Sequence, residues 1–291
     1  MDKIKLLRWA FSAAVLVLLA TVLIQLDFYS VMRGFREIPT RIVLFLVAAQ
    51  IFTQLLVNLQ WYLIARKTGV AISYREMFFV NCQGAVMDAI TPGVKIGGEV
   101  ARAVQIKRVG NCSAVEASTV VALQKFFSVG TMLFVMLLTV GFMPGIDTIF
   151  IYGILLSFLV VFAGIMILLR SRGWKLEIGS WKKSEKLVSI LLPLITWLIY
   201  PAKMFILTWQ FYPEVHFFHI ASVVFLSYMV ALIPIFPGGL GGFEATMVGL
   251  LTALGFSVGT ATAVTIMFRF ITFWFVMLVG AGVTMCKKLL R

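Results

Sequence analysis

Six long apolar runs dominate this sequence and limit what it can fold into. Each is close to the ~20 residues that an α-helix needs to cross the hydrocarbon core of a bilayer. Hydrophobic residues make up 61% of the chain and charged residues 13%, against roughly 25% charged residues in soluble domains. The sequence therefore predicts an all-α polytopic membrane protein. The predicted crossings are 9–26, 42–64, 117–141, 149–169, 188–210 and 259–285.

The basic residues are distributed unevenly between the segments that join these crossings. With a cytoplasmic N-terminus, 17 of the 25 Lys and Arg residues fall on the cytoplasmic side, and Arg33, Arg36 and Arg41 fall on the other. Such asymmetry follows the positive-inside rule. It predicts a multi-pass protein of the cytoplasmic membrane with both termini in the cytoplasm. The net charge of +13 is then a topology signal, and no nucleic-acid partner is expected.

The three cysteines, Cys82, Cys112 and Cys286, all fall toward the cytoplasmic side in this topology. Their spacing suggests neither a disulfide framework nor a metal site. No metal and no cofactor is predicted.

One motif occurs twice in the chain. PGVKIGGE at 92–99 and PGGLGGFE at 237–244 share a proline, a following glycine and a glutamate seven positions after the proline. The crossings line up at the same offset of 145 residues. The sequence therefore predicts one membrane domain over 1–291, made of repeats at 1–145 and 146–291. Because each repeat has three crossings, the second must be inverted, as in many secondary transporters.

Each motif lies in a region that we predict to be a re-entrant helical hairpin, at about 77–107 and about 219–255. Arg75 before the first region and Lys107 and Arg108 after it place both of its ends on the cytoplasmic side. By symmetry the second hairpin enters from the outside. Non-helical backbone at that depth requires surrounding protein or a water-filled cavity.

Two interpretations of the motifs remain open at this point. The paired glycines can serve close helix packing, and a glutamate early in a helix can complement the helix dipole. Alternatively, two helix N-termini face each other and form an anion site. Lys95, Arg102, Lys125 and Arg269 supply positive charge nearby. Lys125 is close enough to the cytoplasmic end to snorkel, whereas Arg269 lies about ten residues into its crossing, where an ionisable group indicates function.

The segments TPGVKIGGEVAR at 91–102 and ALIPIFPGGLGGFEAT at 231–246 resemble the two signatures of the lysylphosphatidylglycerol synthase transmembrane family, also called flippase-like or UPF0104 proteins. The resemblance covers most of the chain. It implies a relative of the membrane part that moves aminoacylated phospholipid across the bilayer. The signature positions that it implies are Thr91, Pro92, Gly93, Lys95, Gly97, Gly98, Glu99, Arg102, Pro237, Gly238, Gly239, Gly241, Gly242, Glu244 and Arg269. Lys125 joins these as a predicted substrate-binding residue.

The chain departs from the family pattern in the crossing after the first motif. Members often carry a Glu-Arg pair and a following Asp there, where this sequence has Gln124 and Lys125 and lacks both acids. The last crossing ends shortly before Arg291, so no aminoacyl-transferase domain is expected in this sequence.

The leading prediction is a lipid translocase that passes an anionic or aminoacylated phospholipid headgroup along a polar cavity between the hairpins. A small-anion or amino-acid carrier is the first alternative, since phosphate and carboxylate sites look alike in sequence. A membrane enzyme acting on lipid-linked substrates is less favoured, because His216 and His219 alone are weak metal ligands. No enzymatic activity is predicted, and a homo-oligomer is left open.

Overall fold

A computed structural model describes residues 28–91, 96–145, 147–171, 178–231 and 241–289. The predicted crossing 9–26 lies outside the described residues, as do the two Pro-Gly turns. The described part of the chain contains helices and no strand, as predicted. Its α-helices are α1 (Phe28–Glu37), α2 (Thr40–Lys67), α3 (Tyr74–Ile90), α4 (Ile96–Val109), α5 (Ala114–Thr139), α6 (Thr148–Ser171), α7 (Lys183–Trp209), α8 (Phe217–Ala231), α9 (Gly242–Ala253), α10 (Val258–Arg269) and α11 (Phe275–Leu289).

Within the described residues, four helices are long and apolar enough to cross a membrane. They are α2, α5 with the 3₁₀ turn Val140–Phe142, α7, and a continuous helix in which the π-helical turn Phe270–Trp274 joins α10 to α11. The predicted crossing 149–169 lies within α6, which has 24 residues. The prediction of an all-α, polytopic membrane protein is confirmed.

The order of the helices follows the offset of the motifs. Shifted by 145 residues, α2 would cover 185–212, close to α7 at Lys183–Trp209. The same shift places α4 at 241–254, close to α9 at Gly242–Ala253. The inverted orientation of the two halves stays a prediction, as does the re-entrant depth of the hairpins.

Local sequence determines where several helices begin and end. Ser73 and Glu76 form a capping box at the start of α3, and Ser113 and Glu116 form another at the start of α5. Each satisfies backbone N–H groups that a helix start leaves without partners. After α2 the chain turns at Gly69, whose φ of +81° is a conformation that glycine adopts readily.

Apolar side chains cover the outside of the described helices. Leu44 is 65% exposed, Leu138 57% and Ile167 70%. The interior combines an apolar core with buried amide and hydroxyl groups, including Gln50 and Thr53, which are fully buried. An apolar exterior with polar groups kept inside is what a helix bundle in lipid requires, since polar groups there must be satisfied within the protein.

The helices of the two motif regions pair in the same way. Helix α3 packs along α4, and α8 packs along α9. In each pair the second helix also contacts the following crossing, so α4 packs against α5 and α9 against α10. Helices α2 and α7 contact each other between the two pairs. This arrangement places the residues after both motifs near the centre of the bundle.

Candidate functional site

Glycines let α3 and α4 approach closely enough for their charged residues to meet. A Cβ atom built on Gly98 of α4 would lie 2.1 Å from Asp88 Oδ1 and 2.6 Å from the Gly84 carbonyl oxygen of α3. A Cβ atom on Gly84 would lie 2.4 Å from Arg102 Nε. No side chain fits at either position without displacing a charged group. Gly98, the last glycine of the first motif, therefore serves helix packing.

Four charged side chains meet between this helix pair and α5, and we call them the charge cluster: Asp88, Glu99, Arg102 and Lys125. Arg102 Nη2 donates to Asp88 Oδ2 at 3.0 Å, and Arg102 Nη1 donates to Glu99 Oε1 at 2.9 Å. Lys125 Nζ lies 2.6 Å from that same Glu99 oxygen. Two carboxylates thus balance two cations, as burial in a bilayer demands.

The members of the charge cluster differ in exposure. The side chains of Asp88, Glu99 and Arg102 are between 10% and 16% exposed, whereas that of Lys125 is 35% exposed. Lys125 therefore contacts Glu99 with a side chain that is more exposed than those of its partners. A lysine ammonium has three donors, so the bond to Glu99 leaves donors for a ligand.

A cavity of about 170 Å³, which we call the polar cavity, lies beside the charge cluster. All four charged side chains contribute to its wall. The rest of the wall comes from both halves of the chain and combines aromatic rings with amides and hydroxyls. Its further lining residues are Gln54, Val57, Trp61, Ala85, Gln124, Ser128, Thr196, Trp197, Tyr200, Thr272, Phe273 and Val276.

The second motif builds an ion pair behind this cavity. Arg269 Nε lies 3.0 Å from Glu244 Oε1. The other Glu244 oxygen accepts a hydrogen bond from the Gly241 N–H at 2.7 Å and so caps α9. The Arg269 guanidinium carbon lies 4.7 Å from the centre of the Phe243 ring and 4.3 Å from that of Phe273. Both contacts are cation–π interactions.

Phe273 contacts Arg269 and also lines the polar cavity. Neither Glu244 nor Arg269 is among the described residues of the wall. The side chain of Arg269 is 7% exposed. Both motifs therefore place a glutamate against a cation of the following crossing, but only the first such pair faces the polar cavity.

Of the remaining predicted site residues, four are described by the structure and six are not. Thr91 and Gly97 lie at the junction of α3 and α4, where a Cβ on Gly97 would lie 2.1 Å from Thr91 Oγ1. Gly241 and Gly242 lie at the start of α9. The others lie outside the described residues: Pro92, Gly93, Lys95, Pro237, Gly238 and Gly239.

Two buried charged residues were not singled out from the sequence. Asp88 precedes the first motif, and nothing in its sequence position indicated that it would meet the motif residues. Lys203 lies within the predicted crossing 188–210. A lone lysine within such an apolar run indicates function and could have been selected on that ground. It donates to Gln50 Oε1 and, at 2.8 Å, to Thr53 Oγ1. Within the described residues no carboxylate lies within 4 Å of its ammonium group.

The described residues contain no group of three or more His, Cys, Asp and Glu side chains that would hold a metal ion. His216 and His219, whose ring centres are 5.4 Å apart, lie at the start of α8 and contact each other edge to face.

The family model described as the lysylphosphatidylglycerol synthase TM region matches residues 6–280. The chain belongs to this family. Two curated proteins of Methanothermobacter thermautotrophicus, each described as a UPF0104 membrane protein, are similar to it. One is 23% identical in an alignment of 248 positions that covers 73% of this chain and 74% of the relative. The other is 21% identical in an alignment of 282 positions that covers 82% of this chain and 83% of the relative.

The sequence resemblance to the lysylphosphatidylglycerol synthase TM region family is thus confirmed. The family and the helices together establish a multi-pass membrane protein of a family that is related to lipid handling.

Proposed function

We propose that this protein is a lipid translocase that passes a phospholipid headgroup through the polar cavity. The observation that carries the proposal is a charge-balanced cluster beside a cavity lined by aromatic and polar side chains, within a bundle whose outside is apolar. The cavity volume of about 170 Å³ is below the ~300 Å³ of typical drug-sized sites. It suits a headgroup, while most of the lipid stays among the helices or in the bilayer.

Lys125 is the residue through which a phosphate group enters the site. It is the most exposed member of the charge cluster and shares the Glu99 oxygen with Arg102. A phosphate that binds Lys125 replaces one charge-assisted hydrogen bond with another of similar strength. Arg102, held by Asp88 on its other side, then adds charge without having to move.

An amine in the headgroup meets complementary groups in the same wall. Glu99, released from Lys125 by the phosphate, faces the ammonium group of an aminoacylated or zwitterionic headgroup. Trp197 and Tyr200 line the cavity, and their ring faces attract cations. The charge cluster thereby favours headgroups that carry a phosphate and an amine together.

Movement follows from which helices the ion pairs join. The pair of Glu99 and Lys125 ties α4 to α5, and the pair of Glu244 and Arg269 ties α9 to α10. When the phosphate takes the place of Glu99 at Lys125, the α3–α4 hairpin loses a tie to the rest of the bundle. Rocking of one repeat against the other is the expected movement in proteins built from inverted repeats.

A carrier of small anions or amino acids is the second candidate. The specific observation in its favour is the small cavity with two cations and two carboxylates, which also suits a free zwitterion. We propose transport rather than catalysis in either case, and product analysis with labelled lipids tests that part.

Reconstituted vesicles of phosphatidylethanolamine and phosphatidylglycerol test the lipid translocase. A headgroup-labelled phosphatidylethanolamine and a membrane-impermeant quencher report how fast inner-leaflet lipid becomes accessible. Lys125→Met should slow this exchange by about tenfold or more, the worth of a hydrogen bond to a charged group, and Lys125→Arg should restore most of it. Lys183→Met, at an exposed lysine that begins α7, is the matched control and should leave the rate unchanged.

Two results would contradict the proposal. One is quenching in protein-containing vesicles that is no faster than in protein-free vesicles. The other is a Lys125→Met rate equal to that of the unmodified protein. Stabilisation against heat by free amino acids or inorganic phosphate, without lipid exchange, would favour the small-solute carrier.

A further inference from the structure

A second cavity of about 170 Å³ lies between α2, α3 and α11, and we call it the apolar crevice. Its wall is almost entirely apolar. Among its few polar groups, Asn81 Nδ2 donates to Asn58 Oδ1 at 2.9 Å, and Asn58 Nδ2 donates to the Tyr74 carbonyl oxygen at 3.1 Å. The lining residues are Ile51, Gln54, Leu55, Asn58, Phe78, Asn81, Cys82, Ala85, Phe275, Val276, Val279 and Gly280.

The apolar crevice and the polar cavity share part of their walls. Gln54 of α2, Ala85 of α3 and Val276 of α11 line both. Between the two cavities there is therefore only one layer of side chains, one of which is an alanine. The chemistry of the wall changes across this layer, from aliphatic and aromatic groups to the charge cluster.

The apolar crevice also reaches the lipid-facing surface. Ile51 is 49% exposed, Leu55 43% and Val279 41%. These residues come from the two helices, α2 and α11, that flank the crevice. A groove that begins among exposed apolar side chains and ends one layer from a charged site matches the two ends of a phospholipid.

We propose that the apolar crevice holds an acyl chain of the lipid whose headgroup occupies the polar cavity. The inference rests on the proposed function and adds the route by which a tailed substrate reaches the charge cluster. Gln54, Ala85 and Val276 mark the boundary that the glycerol region of the lipid occupies.

The apolar crevice should decide which lipids reach the charge cluster more than how tightly they bind. An acyl chain that leaves the bilayer for an apolar protein groove gains little, because lipid tails are as apolar as the side chains of the groove. What the groove provides is space: a headgroup attached to two chains reaches the charge cluster only if one chain is accommodated beside it. Closing the groove should therefore exclude tailed lipids and leave tailless headgroup analogues unaffected.

Photocrosslinking gives a readout that does not depend on transport. Full-length protein in phosphatidylethanolamine and phosphatidylglycerol vesicles is irradiated with phosphatidylethanolamine that carries a diazirine in one acyl chain. Adducts should concentrate on Ile51, Leu55, Cys82 and Val279, in excess over Leu138 of α5 and Ile167 of α6, which are exposed outside the crevice. An even spread over all exposed apolar residues would overturn the proposal.

Substitutions at the exposed edge of the apolar crevice test directly whether the crevice admits tailed lipids. Val279→Trp places a large ring at this edge and should slow exchange of headgroup-labelled phosphatidylethanolamine by about tenfold, within the range that overpacking costs. Leu278→Trp, at a neighbouring residue that is 55% exposed and outside both linings, is the matched control and should exchange at the unmodified rate. Leu55→Trp narrows the crevice from α2 and should repeat the Val279→Trp result. Binding of glycerophosphoethanolamine, which has no tails, should be the same in all four proteins.

The two proposals fail in different ways. If Val279→Trp and Leu55→Trp exchange lipid at the unmodified rate while Lys125→Met is slow, the apolar crevice is not the tail site and the proposed function stands. If the unmodified protein moves no lipid, the proposed function fails, and the crosslinking pattern decides whether the crevice holds a tail.

Discussion

The two motif regions share one pattern of proline, glycine and glutamate and place it in different environments. In the first, Glu99 joins Arg102 and Lys125 in the wall of the polar cavity, with Asp88 completing a four-charge group. In the second, Glu244, whose side chain is 25% exposed, pairs with Arg269, which is 7% exposed and contacts two phenyl rings. We call these two residues the enclosed pair. A glutamate that meets a cation on the following crossing is common to both.

The difference shows how one device can serve two purposes. An ion pair with spare donors and an accessible lysine can exchange partners with a ligand. A pair whose arginine is buried against Phe243 and Phe273, and whose glutamate caps α9 with its other oxygen, holds helices together. We infer that the first region handles the substrate and that the second supports Phe273, which lines the polar cavity.

The largest expected effect comes from breaking the enclosed pair. Arg269→Met leaves the Glu244 carboxylate without its cation, and loss of one partner of a buried pair costs about 3 kcal/mol or more. The free energy of unfolding in detergent micelles should fall by that amount. The double variant Glu244→Gln/Arg269→Met should recover part of the lost stability, because it removes both charges and leaves no unpaired charge in the protein interior. A single variant as stable as the unmodified protein would show that the pair does not hold α9 to α10.

A smaller loss is expected from adding one methyl group to the first hairpin. Gly98→Ala places a Cβ where Asp88 Oδ1 now lies, which should cost about 1–3 kcal/mol and should also separate Asp88 from Arg102. Gly249→Ala is the matched change in α9, where nothing lies within 4 Å of the added atom. It should leave stability unchanged or raise it by up to about 1 kcal/mol. Equal effects at the two glycines would refute the packing role of Gly98.

The smallest change in stability is expected at Lys125. Its side chain is 35% exposed, and Glu99 keeps Arg102 when the lysine is removed. Lys125→Met should therefore alter the free energy of unfolding by less than about 1 kcal/mol, although lipid exchange falls sharply. A loss as large as that of Arg269→Met would mean that Lys125 is structural.

Much of the fold followed from the apolar runs alone. Five of the six predicted crossings coincide with described helices, because a run of that length and composition has few other outcomes in lipid. Glu99, Arg102 and Glu244 were selected as motif positions, Lys125 and Arg269 as cations of the following crossings, and the structure places each of the five in an ion pair.

The rest depended on contacts between helices, which spacing along one chain does not contain. Asp88 meets Arg102 only because Gly84 and Gly98 let α3 and α4 touch. The enclosure of Arg269 depends on Phe273, which lies in the π-helical turn. Such turns recur at functional sites, but nothing in the pattern of apolar residues marked this one.

The central claim is that substrate exchange takes place at the charge cluster and not at the enclosed pair. The most direct measurement compares Glu99→Gln with Glu244→Gln in the vesicle exchange assay, with each rate expressed per folded protein. Glu99→Gln should slow exchange of headgroup-labelled phosphatidylethanolamine by about tenfold or more, while Glu244→Gln lowers stability and keeps most of its rate. Equal slowing by both variants, or slowing by Glu244→Gln alone, would contradict the claim.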